Sequence, residues 1–422
     1  MFQFAKFQIC SQQVRRILTL ALGGSVGCLS LFGQSTTGYS GEAYGTRVVV
    51  AAGTTSISAG TTAATVLCTE KTGMSNSNSV TTVSLPPLAS TGVIDTSVSS
   101  AANTTSGATS STAISTVNDL SLLGGLVTAD LVQSESSSIS SSGTFSTSST
   151  GTTFTNAKVL GIPIMIDVAP NTKITLPGLG FVIVNEQFSK VTSTSATLTV
   201  NALNIMVSES NKLGIPVGTH LIVAHAESST LVNEGLLNGF GYGTSVSAGP
   251  IQAGPSAAVY LGCVGTNDQL VTNEVASIDV PGVLAAGVVH TTAKGTVTST
   301  TTSGQVTASV AGANLLSGLL AATTIRADAS ASIAGGTLSL SDAGSVFVGL
   351  SVAGHPEVGV NPAPNTKVNI AGLGTLWLHR VIQTSDFIEV RMVELVVDAE
   401  NSFGLPLNAD VRISVAHVGV TH

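Results

Sequence analysis

Few residues in this sequence are of a type and spacing that could carry chemistry. Of four cysteines, Cys10 and Cys28 fall in the N-terminal region, which leaves Cys68 and Cys263, and no cysteine pair has the spacing of a metal site. Seven histidines are dispersed along the chain. His225 and His417 stand out because each closes a Val-Ala-His triplet, and strand alternation places them on the same face as Leu221 and Val223, and as Ile413 and Val415. Each is either a ligand or base, or a strand-end histidine with one ring nitrogen held by the backbone. With no paired carboxylate or second histidine nearby in sequence, the structural role is expected. His220 has no histidine counterpart, Asp410 or a neighbour standing there. Asp119 and Asp130 flank Leu122-Leu123-Gly124-Gly125, yet the equivalent stretch further on has no acids. Lys173 and Lys367 each follow an Asn-Thr pair. Nucleophile elbows, zinc-binding helices and phosphate loops are absent, and Gly239-x-Gly241-x-Gly243 opens a strand with no βαβ unit behind it. No catalytic, cofactor-binding or metal-ligating residue is assigned.

The elements that hold these residues are written twice. Ala43-Tyr44-Gly45-Thr46 returns as Gly241-Tyr242-Gly243-Thr244, and Leu122-Leu123-Gly124-Gly125-Leu126 as Leu315-Leu316-Ser317-Gly318-Leu319. Ala169-Pro170-Asn171-Thr172-Lys173 recurs unchanged at 363–367, and Cys68 answers Cys263. Nearly constant offsets along the whole span mean a collinear duplication, giving two homologous domains, 40–230 and 238–422, joined by a short link. Within each the apolar period is two, as in Ile388-Glu389-Val390-Arg391-Met392 and Thr197-Leu198-Thr199-Val200-Asn201. Pro-Asn-Thr and Gly-Leu-Gly punctuate these short strands. The expected fold is all-β: tandem antiparallel β-sandwich or jelly-roll-like domains. The Ser/Thr-rich run 134–153 has the composition of a linker, but its counterpart keeps Ile333, Leu338 and Leu340 in alternation, so an exposed hairpin or edge strand is expected. Duplicated positions usually sit a domain diameter apart, so Cys68 and Cys263 are expected as packed free thiols in preference to a bridge.

Composition narrows the function classes. Charged residues are 9% of the chain, far below the usual figure of about 25%. A net charge of −8 gives no positive field for a phosphate backbone, which argues against nucleic acid. Aromatics at 4% leave little for stacking platforms or the girdles of a membrane barrel. Lys6, Arg15 and Arg16 precede the uncharged apolar stretch 17–32 and a polar exit, the pattern of a signal peptide over 1–34. Ser25-Val26-Gly27-Cys28 carries the cysteine of a lipoprotein signal without the usual aliphatic residue at Ser25, so lipidation of Cys28 is a second option. No further run is long and apolar enough to span a bilayer in the mature chain.

The start Ala43-Tyr44-Gly45, the 122–129 block Leu-Leu-Gly-Gly-Leu-Val-Thr-Ala, the segment from Asn171-Thr172-Lys173 to Asn185-Glu186-Gln187 and the terminal Val223-Ala224-His225-Ala226 together resemble the choice-of-anchor P family of bacterial exported proteins. The second copy departs from it with Leu378-His379-Arg380. The resemblance implies a secreted or surface-attached protein and supplies no catalytic residues. The function expected is therefore non-enzymatic: a structural or adhesive component of envelope or matrix, extracellular or at the cell surface, self-associating or binding cell-envelope components. The rival from another class is a secreted polysaccharide hydrolase with a cleft between the domains, for which Trp377 with Glu389 or Glu394 is the hint.

Overall fold

The computed structural model describes residues 35–421 apart from 53, 54, 86 and 250. The signal-peptide reading and Cys28 lie outside the described residues. Strand accounts for 66% of the chain and helix for 2%, so the fold is all-β, as the two-residue periodicity predicts. Four antiparallel sheets form two similar halves.

In the first half a six-stranded sheet runs Thr172–Leu176, Gly180–Val191, Ser195–Val207, His220–Asn233, Thr36–Ala52, Thr55–Thr69. It packs on a ten-stranded sheet whose main strands are Ile94–Ala102, Thr109–Leu122 and Val127–Ser141. In the second half a seven-stranded sheet, built around Leu236–Ala248, Asp410–Thr421, Phe387–Val397, Gly374–Gln383 and Thr366–Ile370, packs on a nine-stranded one. No described sheet takes strands from both halves, and only Glu234 and Gly235 separate strand His220–Asn233 from strand Leu236–Ala248.

The sandwich cores fill in two chemically different ways. Near one end of the first half, hydroxyls bridge the sheets: Ser111 donates to the Ser40 carbonyl at 2.7 Å, Ser115 to Tyr44 at 2.9 Å, Ser136 to Leu198 at 2.7 Å and Ser138 to Ser228 at 2.9 Å. Thr230 donates back to the Ser138 carbonyl at 2.9 Å, and the Ser228 hydroxyl pairs with those of Ser136 and Ser138. A serine oxygen is one bond from Cβ, so at these contacts the backbones lie well inside the usual face-to-face sheet spacing of roughly 10 Å. Strand register equates Ser134, Ser136 and Ser138 with Ala327, Ala329 and Ala331, and Ser228 and Thr230 with Val418 and Val420, all buried. Methyls thus replace hydroxyls at almost constant shape.

The Ser/Thr-rich run forms a hairpin, as expected, but one that is exposed only in part. Ser134, Ser136 and Ser138 lie fully buried in strand Val127–Ser141, while the turn at Ser142–Gly143 and parts of the outer strand Thr144–Ser148 are exposed. Composition misleads about exposure because a narrow gap accepts serine: Ser136 and Ser138 find backbone acceptors, while the buried Ser134 hydroxyl has no partner. Where the sheets' edge strands diverge, Asn78 donates to the Ala63 carbonyl at 3.3 Å and its counterpart Asn273 to Ala258 at 2.9 Å, closing the same side of both sandwiches.

Ser136→Ala/Ser138→Ala is expected to cost about 1–3 kcal/mol by leaving the buried Ser228 hydroxyl without a partner, whereas Ser136→Ala/Ser138→Ala/Ser228→Val, which copies the second half, costs less. Urea denaturation midpoints of the two variants check the order.

Candidate functional site

The polar side chains able to do chemistry collect on the outward faces of the six- and seven-stranded sheets, and a left-handed residue in each half marks where they turn outward. Ala224 (φ 51°) interrupts strand His220–Asn233, and Ser414 (φ 58°) interrupts Asp410–Thr421. Tyr44 pairs with His225 and Thr46 with Val223; in the second half Tyr242 pairs with Val415 and Thr244 with Ile413. Register is kept across these points, but side-chain alternation reverses beyond them. His225 therefore lies opposite Leu221 and Val223, on the outward face, and His417 lies opposite Ile413 while sharing that face with Val415.

The same register corrects a second expectation: His225 and His417 are not equivalent. His225 corresponds to Val415, and His417 corresponds to Glu227. Glu227 pairs with Glu42 and Thr199, as His417 pairs with Phe240 and Glu389. The repeated Val-Ala-His letters are two residues out of structural step. Two strands away, left-handed Asn185 (φ 54°) likewise corresponds to left-handed His379 (φ 50°), and their carbonyls accept from the Asn171 and Asn365 amides. Glu186 thus answers Arg380.

On the first half's face, one carboxylate anchors a relay of neutral groups. Glu186 Oε2 accepts from Nδ2 of both Asn201 and Asn204, each at 2.7 Å. With both amides so oriented, the Asn201 oxygen faces His225 Nδ1 at 2.6 Å and the Asn204 oxygen faces His220 Nε2. Each imidazole must donate to its asparagine, which fixes both tautomers. The His225 ring stacks on Tyr44, centroids 4.2 Å apart. Burial, aided by the charge of Arg47, pulls the His225 pKa down to about 3, and burial lowers that of His220. One row along, Glu42 and Glu227 face each other across adjacent strands. Burial first, then the Glu227 charge, raise the Glu42 pKa, against a smaller lowering by Arg47.

The second half fills the same face with ions. Arg391 binds Glu389 and Glu394, each at 2.5 Å, Arg380 also binds Glu394, and Arg412 binds Asp410 at 2.5 Å. His417 sits between Glu389 (3.3 Å) and Asn238 (3.1 Å) and stacks on Phe240. Burial would raise the Glu389 pKa, but the His417 hydrogen bond and the Arg391 charge bring it down to about 2. Trp377 is register partner to Glu394, and Arg380 and Lys367 lie over its ring at 4.9 and 5.4 Å. Lys173, the counterpart of Lys367, lies at 3.8 Å over Phe181, a ring two residues before the position equivalent to Trp377. Asn171 and Asn365 accept the backbone amides of Gln187 and Val381. The Asn-Thr-Lys repeats are thus hairpin caps with a lysine laid on an aromatic ring. Asp119 and Asp130 line a shallow open bay of about 450 Å³ with Asn156 and Lys158, where Asn156 donates to Asp130 at 2.6 Å. Among the described residues no group of three or more His, Cys, Asp or Glu is placed to hold a metal ion.

Cys68 and Cys263 form a disulfide, which overturns the expectation of two free thiols. Their Cα atoms are 5.0 Å apart because equivalent parts of the two halves meet at the seam. Thr65 and the Tyr260 hydroxyl lie close together there, and Gly38 packs on Leu236; both are pairs of equivalent residues. Like touching like is the signature of a two-fold, isologous contact, here within one chain. No family model matches the chain, and no curated protein or solved structure matches it significantly.

The sequence signal for the face was present in the alternating Glu, Asn and Arg residues of the 199–206 and 389–394 strands. What it lacked was the left-handed residue at which alternation reverses.

Two pH effects follow. An unfolded chain binds a proton at His225 near pH 6.5 and the folded one near 3, so this group's stabilisation, of order 4–5 kcal/mol at roughly 1.4 kcal/mol per unit, is lost as pH falls through that window. His225→Gln should flatten the slope of Tm against pH between 6.5 and 3; an unchanged slope refutes the assignment. Glu42 has the opposite sign, because its raised pKa makes folding take up a proton above pH 4.5. Glu42→Gln should raise Tm at pH 8 and leave it little changed at pH 4, as read by calorimetry.

Proposed function

We propose that the chain is a secreted or cell-surface protein without enzymatic activity, serving as a structural or adhesive component of the envelope or matrix, and a member of the choice-of-anchor P family. The observation that carries this reading is the Cys68–Cys263 disulfide, since such bonds persist in oxidising compartments and are rare in a reducing cytosol. It agrees with the signal-peptide pattern of residues 1–34. Among the described residues no helix is long and apolar enough to cross a membrane, so attachment rests on a leader, a lipid at Cys28 or a partner.

The state of the candidate acids supports a passive role. Glu389 and Glu394 are held by arginines, and Glu186 by two asparagine amides. A glycosidase needs one carboxyl ready to donate a proton and a second ready to attack or to activate water. Acids fixed by fork-like arginine contacts serve rigidity instead. Few charges and many hydroxyls suit a surface that presents itself to neighbours, and pairing of exposed strand edges, such as that of Thr144–Ser148, is the mode of self-association this reading favours.

The test is intact mass and N-terminal sequence of the native protein, isolated without reductant from extracellular, envelope and cytosolic fractions. A mature chain outside the cytosol, two hydrogens lighter than its dithiol form, is expected, with lipid on Cys28 defining the anchored variant. An unprocessed cytosolic chain with free thiols, or hydrolysis of polysaccharide that Glu389→Gln or Glu394→Gln abolishes without unfolding the protein, would overturn it.

A further inference from the structure

We propose that the Cys68–Cys263 disulfide, rather than the packing of the seam, holds the two halves together, so that opening it frees them to move about Glu234–Gly235 with both sandwiches intact.

Three observations carry this. First, each half is complete in itself: among the described residues no sheet is shared, and the large apolar clusters divide cleanly between the halves. Among the described residues the buried apolar cluster that crosses the seam consists of Cys68, Leu231, Leu236 and Cys263, so two of its four members are the bridge itself. Stable interfaces bury an extensive apolar centre, and four side chains around a sulfur pair fall far short of one. Second, the polar part of the seam is poorly matched: Glu42 lies close to the Tyr260 hydroxyl of the second half while facing the Glu227 carboxylate of its own half across the strand pair. Arg47 lies near both Glu42 and Tyr260. Third, the join is two residues long between strands that belong to different sheets, so rotation there breaks no sheet hydrogen bond.

Opening is ordinary thiol–disulfide exchange with a dithiol. One reductant thiolate attacks a cysteine sulfur, forming a mixed disulfide and expelling the other cysteine as thiolate. The second reductant thiol then closes its own ring and expels the first cysteine. Two electrons pass from the dithiol, which leaves as a cyclic disulfide, to Cys68 and Cys263, which take up protons as thiols.

The experiment compares the full chain oxidised, the same chain treated with dithiothreitol until alkylation and mass confirm two thiols, and Cys68→Ala/Cys263→Ala. Small-angle scattering reads the separation of the halves, far-ultraviolet circular dichroism reads the sheets, and calorimetry reads cooperativity. A larger radius of gyration with an unchanged β signal, and one thermal transition splitting into two, is expected for both opened forms. An unchanged radius with a single transition would show that the seam packs without the bridge. Loss of the β signal in both opened forms would show that the halves need each other. Either result overturns the proposal.

Discussion

The narrow gap between facing sheets is the constraint from which much of this structure follows. Where a serine oxygen touches the backbone of the opposite sheet, there is room for a methyl, a hydroxyl or a glycine and for nothing larger. Gly45 and Gly243 occupy equivalent places where Ile94 and Val289 of the opposite sheet fill the space a side chain would need. Low aromatic content is then a packing requirement, and the abundance of Ser, Thr and Ala is its positive form. Ser136 and Ser138 beside Ser228, against Ala329 and Ala331 beside Val418, show two chemistries meeting one shape. Paired hydroxyls and paired methyls are each self-consistent, whereas a mixture would strand a buried donor.

A core with so little room for polar bulk sends its larger polar side chains outward. Ala224 and Ser414, both in left-handed geometry, mark where this happens: with unbroken alternation past Val223 and Ile413, His225 and Val415 would both turn inward. The outward faces then diverge freely, because each need satisfy only itself. One half sets Glu186 among two amides and two neutral imidazoles, with Glu42 and Glu227 one row along; the other uses three arginines against Glu389, Glu394 and Asp410. Burial pushes the pKa of Glu42 and of Glu389 the same way, upward, but the partners of Glu389 overcome it and hold that carboxylate ionised.

Period and punctuation made the strands, the duplication and the all-β class legible in the sequence, because alternation at Ile388–Met392 or Thr197–Asn201 depends only on which face is buried. Three things were not legible. Alternation reverses at a left-handed residue with no change of register, and no letter marks Ala224 as taking positive φ, so neither the face of His225 nor its counterpart in the second half is visible in the sequence. The Ser134–Ser138 run carries the composition of a linker, and its burial depends on the Leu198 and Ser228 carbonyls, about 60 to 90 residues away. The pairing of Cys68 with Cys263 depends on how two folded halves dock, a property of surfaces rather than of local pattern.

That docking gives the disulfide its meaning. Two copies of one fold related by a two-fold axis bring equivalent residues together only on the axis. Cys68 with Cys263, Thr65 with Tyr260, and Gly38 with Leu236 are therefore three readings of one symmetry. A surface able to meet its own duplicate in this way has the geometry of a homodimer contact, with the link at Glu234–Gly235 converting it to an intramolecular one. Tethering raises the effective concentration of each half for the other, so a small seam suffices to align the sulfurs, and oxidation then fixes what weak packing arranged. The apolar content of the seam can stay low because alignment, not affinity, is what it must supply.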